Sequence, residues 1–121
     1  MLINFSNHPL EQWGPRQRQE AVTRWGAIED MAFPAIDPTW SREELLPLVE
    51  TCFEQCRDRA EQYGCEGAFH IMGESVFCFH LIGRLLKAGY TVVASTTVRD
   101  VAYRTDGLKL SQFEFIRFRE Y

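Results

Sequence analysis

The chain is expected to fold as an α/β protein: a Rossmann-like three-layer sandwich with a mainly parallel sheet and a C-terminal β-hairpin. Three observations predict this. Gly67–Lys87, GAFHIMGESVFCFHLIGRLLK, reads as a buried strand, a Gly-Glu-Ser turn and an amphipathic helix, which is half of a βαβ unit. Strand-like and helical patterns alternate along the first ninety-odd residues, in the order βαβαβαβ. Asp106-Gly107 then joins two β-rich runs, the strongest short signal for a hairpin.

Each element has a local cause. Met1–Phe5 is a short apolar strand ending in the polar loop Ser6-Asn7-His8-Pro9. Pro15 suits a first helical position, and the helix Pro15–Trp25 is stopped by Gly26. Ala27–Phe33 reads as a second strand, followed by a rigid loop containing Pro34 and Pro38. Ser41 with Glu44 three residues on forms a capping box for a helix running to about Tyr63, with Leu45, Val49, Cys52, Phe53 and Cys56 on one face. Ala68–Met72 is the next strand, and its helix ends at Gly89. Tyr90–Ala94 is a further strand, leading into a loop, Ser95–Arg99. Val101–Thr105 and Leu108–Glu120 are the hairpin strands. No repeat, linker or low-complexity stretch divides the 121 residues, so one domain spanning 1–121 is expected.

Composition narrows the function classes. Hydrophobic residues make up 45% and aromatic residues 13%, enough for a core. A net charge of -4 argues against a generally basic coat for long nucleic acids or for a membrane surface. The N-terminus lacks a basic n-region, and no apolar run spans a bilayer, so a cytoplasmic protein with no membrane partner is expected. Cys52, Cys56, Cys65 and Cys78 form no CxxC pair and no zinc spacing; they read as reduced core thiols. No metal and no cofactor are expected. Neither GxGxxG nor GxxxxGK[ST] occurs.

In a parallel sheet the loops after the strands share one rim. Here they offer Asn7, His8, Gly73, Glu74, Ser75, Ser95, Thr96, Thr97 and Arg99. Hydroxyls, helix N-terminal amides and a guanidinium favour a phosphate-bearing ligand. His8 reads as a proton-transfer group or as a solvated loop histidine. Glu74 is a general base or the cap of its own helix. Asp37 holds a metal or a ribose hydroxyl, or makes a turn beside Pro38. Arg99 neutralises a phosphate, or pairs with Asp100 or Glu74. His70 and His80 read as packing residues. Arg117 and Arg119, placed by simple alternation on the side of Phe113 and Phe115, suit nucleotide stacking, an edge strand or a dimer seam.

LINFSNHP at the start, GES after the third strand, ASTTVR after the fourth and FIRFREY at the end together resemble the small stand-alone CRISPR-associated proteins related to CARF domains, the ring-nuclease group. The resemblance covers nearly the whole chain. It implies a homodimer whose two rims hold a cyclic oligoadenylate messenger for antiviral defense. It implies cleavage without a metal, a ribose 2′-OH attacking the adjacent phosphate. Carried onto this chain, it places Asn7, His8, Gly73, Ser75, Ser95, Thr96 and Arg99 in the pocket, with His8 handling the proton and Arg99 the developing charge. Two other readings stand beside it: a module that senses or sequesters the nucleotide without cleaving it, and an interaction protein using its terminal hairpin.

Overall fold

The computed structural model describes residues 1–64, 67–103, 107 and 109–121. Five strands, β1 (Leu2–Ser6), β2 (Ile28–Asp30), β3 (Ala68–Met72), β4 (Thr91–Tyr103) and β5 (Lys109–Glu120), form a sheet in the order β2-β1-β3-β4-β5. The first four run parallel, and β5 returns antiparallel along β4. Three α-helices, α1 (Pro15–Trp25), α2 (Arg42–Gln62) and α3 (Ser75–Lys87), and a 3-10 turn at Leu10–Gln12 connect them. This is the expected Rossmann-like α/β fold with a C-terminal hairpin.

Strand alternation divides the core into two layers. Ile3, Phe5, Phe69, Ile71 and Val92 face α2 and α3 and pack with Val49, Phe53, Phe77, Leu81 and Leu85. Leu2, Ala68, Val93 and Phe118 face the other way and pack with Trp13 and Ala21 of the α1 side. Burial of both faces explains why β1 and β3 read as near-continuous apolar runs.

The helix ends follow their local signals. Pro15 opens α1, and Gly26 closes it at φ 84°. Ser41 accepts from the Glu44 amide while the Glu44 carboxylate accepts from the Ser41 amide, a complete capping box on α2. Gly73, at φ 158°, packs so closely under Phe33 that a Cβ there would fall 2.4 Å from the ring's Cζ.

Four expectations are corrected. Ser95–Arg99 is not a loop: β4 is one strand from Thr91 to Tyr103, absorbing Val101–Tyr103 as well. The β-branched residues Thr91, Val92, Val93, Thr96, Thr97 and Val98 favour an extended chain, and no Gly or Pro interrupts it. β2 is three residues long rather than seven; Phe33 lies beyond it and packs against Phe5 and Phe77 in tilted and edge-on contacts, with ring centroids 5.5 and 5.4 Å away. Ser6 belongs to β1, not to the loop after it. Finally, the pairing of β4 with β5 shifts between Thr96 and Thr97, so that Ile116 is an extra residue. The bulge flips the alternation. Phe115 lies against Phe118, with centroids 5.0 Å apart, rather than sharing a side with Arg117 and Arg119.

Asp106 of the expected Asp-Gly turn, together with Thr105 and Leu108, lies outside the described residues, as does Cys65. Among the described residues, no helix is long and apolar enough to cross a membrane.

Candidate functional site

The chain leaves β1 toward β2 on one side and β3 toward β4 on the other, so the order of connections reverses between β1 and β3. In open α/β sheets a crevice forms at the carboxyl ends of the strands at such a switch point. Here the crevice is a cleft of about 700 Å³ on the α1 face. His8, Trp13, Arg16, Gln17, Ser95 and Thr97 line it, His70 forms part of its floor, and Phe113 and Phe115 of β5 form its far wall.

The floor is polar for a structural reason. Leu2, Ile28, Ala68 and Val93 make the apolar layer on this side of the sheet. Two residues further along each strand come Asn4, Asp30, His70 and Ser95, which therefore share that face. Asn4 is the register partner of both Asp30 and His70. The result is a row of polar side chains across four strands. Asn4 and His70 are each 1% exposed.

Hydrogen bonds link the members of the row to one another and to their surroundings. Asn4 Nδ2 donates to Asp30 Oδ1 at 2.8 Å and to the His8 carbonyl at 2.9 Å. Asn4 Oδ1 lies 2.8 Å from His70 Nδ1 and 2.7 Å from the Ser6 hydroxyl. His70 Nε2 lies 2.7 Å from Ser95 Oγ, to which Gln17 Nε2 also donates at 2.9 Å. The His8 carbonyl takes a further bond from the Trp13 indole at 3.0 Å. Asp30 in turn accepts from the Leu10 amide and holds the 3-10 turn in place. Among the described residues, no buried side-chain polar atom lacks a partner.

His70 is enclosed by rings. Trp13 and Phe118 present T-shaped contacts with centroids 5.1 and 5.8 Å away. Burial between them, with a lesser contribution from nearby His8, pushes the imidazole pKa down to about 4. His70 is neutral at pH 7.

The helix N-termini differ. At α3, the Glu74 carboxylate accepts from the Val76 and Phe77 amides at 3.1 and 2.7 Å, so the protein's own anion occupies that end. At α2, Ser41 and Glu44 do the same. At α1, Gly14 is the N-cap and no side chain caps the helix. The positive end of α1 opens at the rim of the cleft beside Arg16 and Gln17.

Residues 1–119 match the family described as the Uncharacterized protein MJ1673 family. The chain belongs to that family. No curated protein and no solved structure matches it.

The residues expected to share a rim are distributed over this family member as follows. His8, Ser95 and Thr97 line the cleft. Gly73 and Ser75 line a separate apolar groove between α2 and α3, with Met72, Phe79 and Tyr121. Asn7 borders a shallow depression beside Asp30 and Phe33. Thr96 points away, its hydroxyl donating to the Arg117 carbonyl at 3.1 Å and accepting from the Arg117 amide at 3.2 Å. Arg99 is exposed on β4 and does not line the cleft; its expected partner Asp100 has no described side chain. Glu74 caps α3, and Asp37 makes a turn, accepting from the amide and hydroxyl of Thr39. Burial pushes the Cys56 and Cys78 thiols up to about 12 and Cys52 up to about 11, consistent with core thiols.

Sequence reasoning missed Asn4 and Asp30, placed Ser6 in the loop after β1 rather than at the strand's end, and read His70 as packing. A signal was present. LINFS and AFHIM are central parallel strands, and a polar residue buried there needs a polar partner. Gln17 and Arg16 were missed because the first turn of α1 was read only as a helix start.

Proposed function

We propose that the cleft binds a cyclic oligoadenylate messenger and cleaves it without a metal, as a phosphodiesterase acting through the ligand's own ribose 2′-OH. The observation that carries the reading is the meeting, in one cleft at the switch point, of an uncapped helix N-terminus and a hydroxyl held by a histidine. The first favours a phosphate. The second offers proton transfer next to it. Arg16 and the Gln17 amide add charge and hydrogen bonds, and Phe113, 70% exposed at the mouth, offers a face for a base. The resemblance to ring nucleases supplies the substrate class and the homodimer, in which two clefts hold one ring.

In this reading His8, exposed at the rim, is a second proton-transfer group. The charge on the phosphorane is met by Arg16 and the α1 amides rather than by Arg99. Positioning of the 2′-OH in line with the phosphate and stabilisation of the developing charge are the protein's contributions.

A second reading, a sensor that binds without cleaving, is favoured by one feature: among the described residues, the protein's own groups already satisfy every buried side-chain polar atom, those of the row included. Incubation with cyclic tetra- and hexa-adenylate in EDTA, with chromatography of the products, separates the two. Linear products ending in a cyclic phosphate are expected. An intact ring that raises the melting temperature leaves the sensor, and an intact ring with no thermal shift removes the ligand class altogether.

A further inference from the structure

The hydrogen-bond row has a direction. Asn4 Nδ2 faces a carboxylate and a carbonyl, groups that only accept, so the amide's orientation is fixed and Oδ1 is the atom facing His70. Oδ1 carries no proton. His70 Nδ1, 2.8 Å away, must therefore carry one, and Nε2 is the bare nitrogen. Ser95 Oγ, 2.7 Å from Nε2, then donates to it. Gln17 Nε2 donates to Ser95 Oγ. Every hydrogen from Gln17 through Ser95, His70 and Asn4 points the same way, toward the Asp30 carboxylate. Aligned chains of this kind polarise one another.

The geometry points to Ser95 as a catalytic hydroxyl of the cleft, with His70 accepting its proton and Asn4 and Asp30 as residues that position and polarise His70. Ser95 is the only member of the row that both touches His70 and lines the cleft among the described residues. His70 is in the neutral state that proton acceptance requires. Its ring is held in one tautomer by a locked amide, much as the buried carboxylate of a Ser-His-Asp arrangement holds its histidine.

Resting on the phosphodiester reading above, the step balances as follows. The ribose 2′-OH gives its proton to Ser95 Oγ while Ser95 gives its own to His70 Nε2. The O2′–P bond forms and the P–O5′ bond breaks. The proton on His70 returns through Ser95 to the leaving O5′. The products are a 2′,3′-cyclic phosphate and a 5′-hydroxyl, and nothing else is consumed.

A histidine buried only for stability would make the same bonds without altering reactivity at position 95, and Ser95→Cys tells the two apart. A thiol whose proton Nε2 accepts ionises early and alkylates quickly. Cys52, Cys56 and Cys78 are buried, and peptide mass spectrometry resolves position 95 from them. Alkylation by iodoacetamide at pH 7 is expected to be about 10-fold faster than in a Ser95→Cys/His70→Gln double variant. The pH profile of the single variant should show an inflection below the ordinary thiol value of about 8.5. Equal rates, or an inflection at or above that value, overturn the proposal; should the double variant not fold, the profile decides alone. With Ser95→Ala, cleavage of cyclic tetra-adenylate in EDTA should fall by about 100-fold while the ligand-induced rise in melting temperature is kept. Unchanged cleavage overturns the role of Ser95. An activated thiol at position 95, in a protein whose wild type cleaves no adenylate, retains the relay and discards the substrate class.

Discussion

Asn4 Oδ1 and His70 Nδ1 lie 2.8 Å apart because the two residues are register partners on adjacent parallel strands. The pairing joins a strand at the start of the chain to one 66 residues later. It places a polar contact where a parallel sheet is otherwise apolar. The rest of the candidate site is built outward from this pair, to Asp30 on one side and Ser95 on the other.

Asn4→Asp tests the orientation of that amide at almost constant volume. The substitution turns the donor facing Asp30 and the His8 carbonyl into an acceptor, and it adds a buried carboxylate beside another. Two hydrogen bonds are lost and repulsion is added, so unfolding by urea at pH 7 should show a loss of about 2–4 kcal/mol. A loss below about 0.5 kcal/mol, within the range of ordinary surface changes, would mean that Asn4 does not hold the row.

Acid should loosen the fold through His70. Its folded pKa, about 4, lies below its ordinary value of 6.5. Above pH 6.5 neither folded nor unfolded protein binds this proton. As pH falls from 6.5 to 4 the unfolded chain takes it up and the folded chain does not, so stability is lost across that window, by roughly 3 kcal/mol from this group. Denaturant melts at pH 7 and pH 4.5 check it. The wild type should lose more over that interval than a folded His70→Gln variant, and parallel losses would contradict the assignment.

Gly73→Val should damage the turn between β3 and α3. A Cβ at that position meets Phe33 Cζ at 2.4 Å, and φ 158° is strained for a β-branched residue. A destabilisation of about 1–3 kcal/mol is expected. Phe33→Ala in the same chain should restore part of it in a thermal melt, because the obstruction is one side chain rather than backbone.

Glu74→Ala separates the cap from a ligand role. Loss of the bonds to the Val76 and Phe77 amides should cost about 1 kcal/mol of stability. The proposed adenylate cleavage, measured well below the melting temperature, should be unchanged, since Glu74 does not line the cleft. A large loss of cleavage in a stably folded variant would return Glu74 to the site.

Local signals read the fold well. Pro15 and Gly26 mark the ends of α1, and Ser41 with Glu44 marks the start of α2, because caps and prolines act within a few residues. Two misreadings had different causes, one local and one in strand pairing. Ser95–Thr97 looked like a loop for its hydroxyls, although its threonines also suit a strand. Alternation along β5 was counted through Ile116 without the bulge, whose cause is pairing with β4. The site was less legible, because its row depends on register between strands far apart in sequence. Nothing near His70 in the chain announces Asn4 or Ser95. The expected anion site at Glu74-Ser75 failed on a local point instead: a carboxylate at an N-cap fills the position that an anion would take.

In the proposed function, ligand enters the α1-face cleft and not the apolar groove on α3. Titration of the labelled protein with cyclic tetra-adenylate, followed by side-chain and amide NMR at low temperature to slow any cleavage, distinguishes the two sites. The Gln17 side-chain amide, the Trp13 indole N–H and the Ser95 amide should shift together, while Val76 and Phe79 stay in place. Shifts confined to Val76, Phe79 and their neighbours on α3, with Trp13, Gln17 and Ser95 unmoved, would contradict the proposed function.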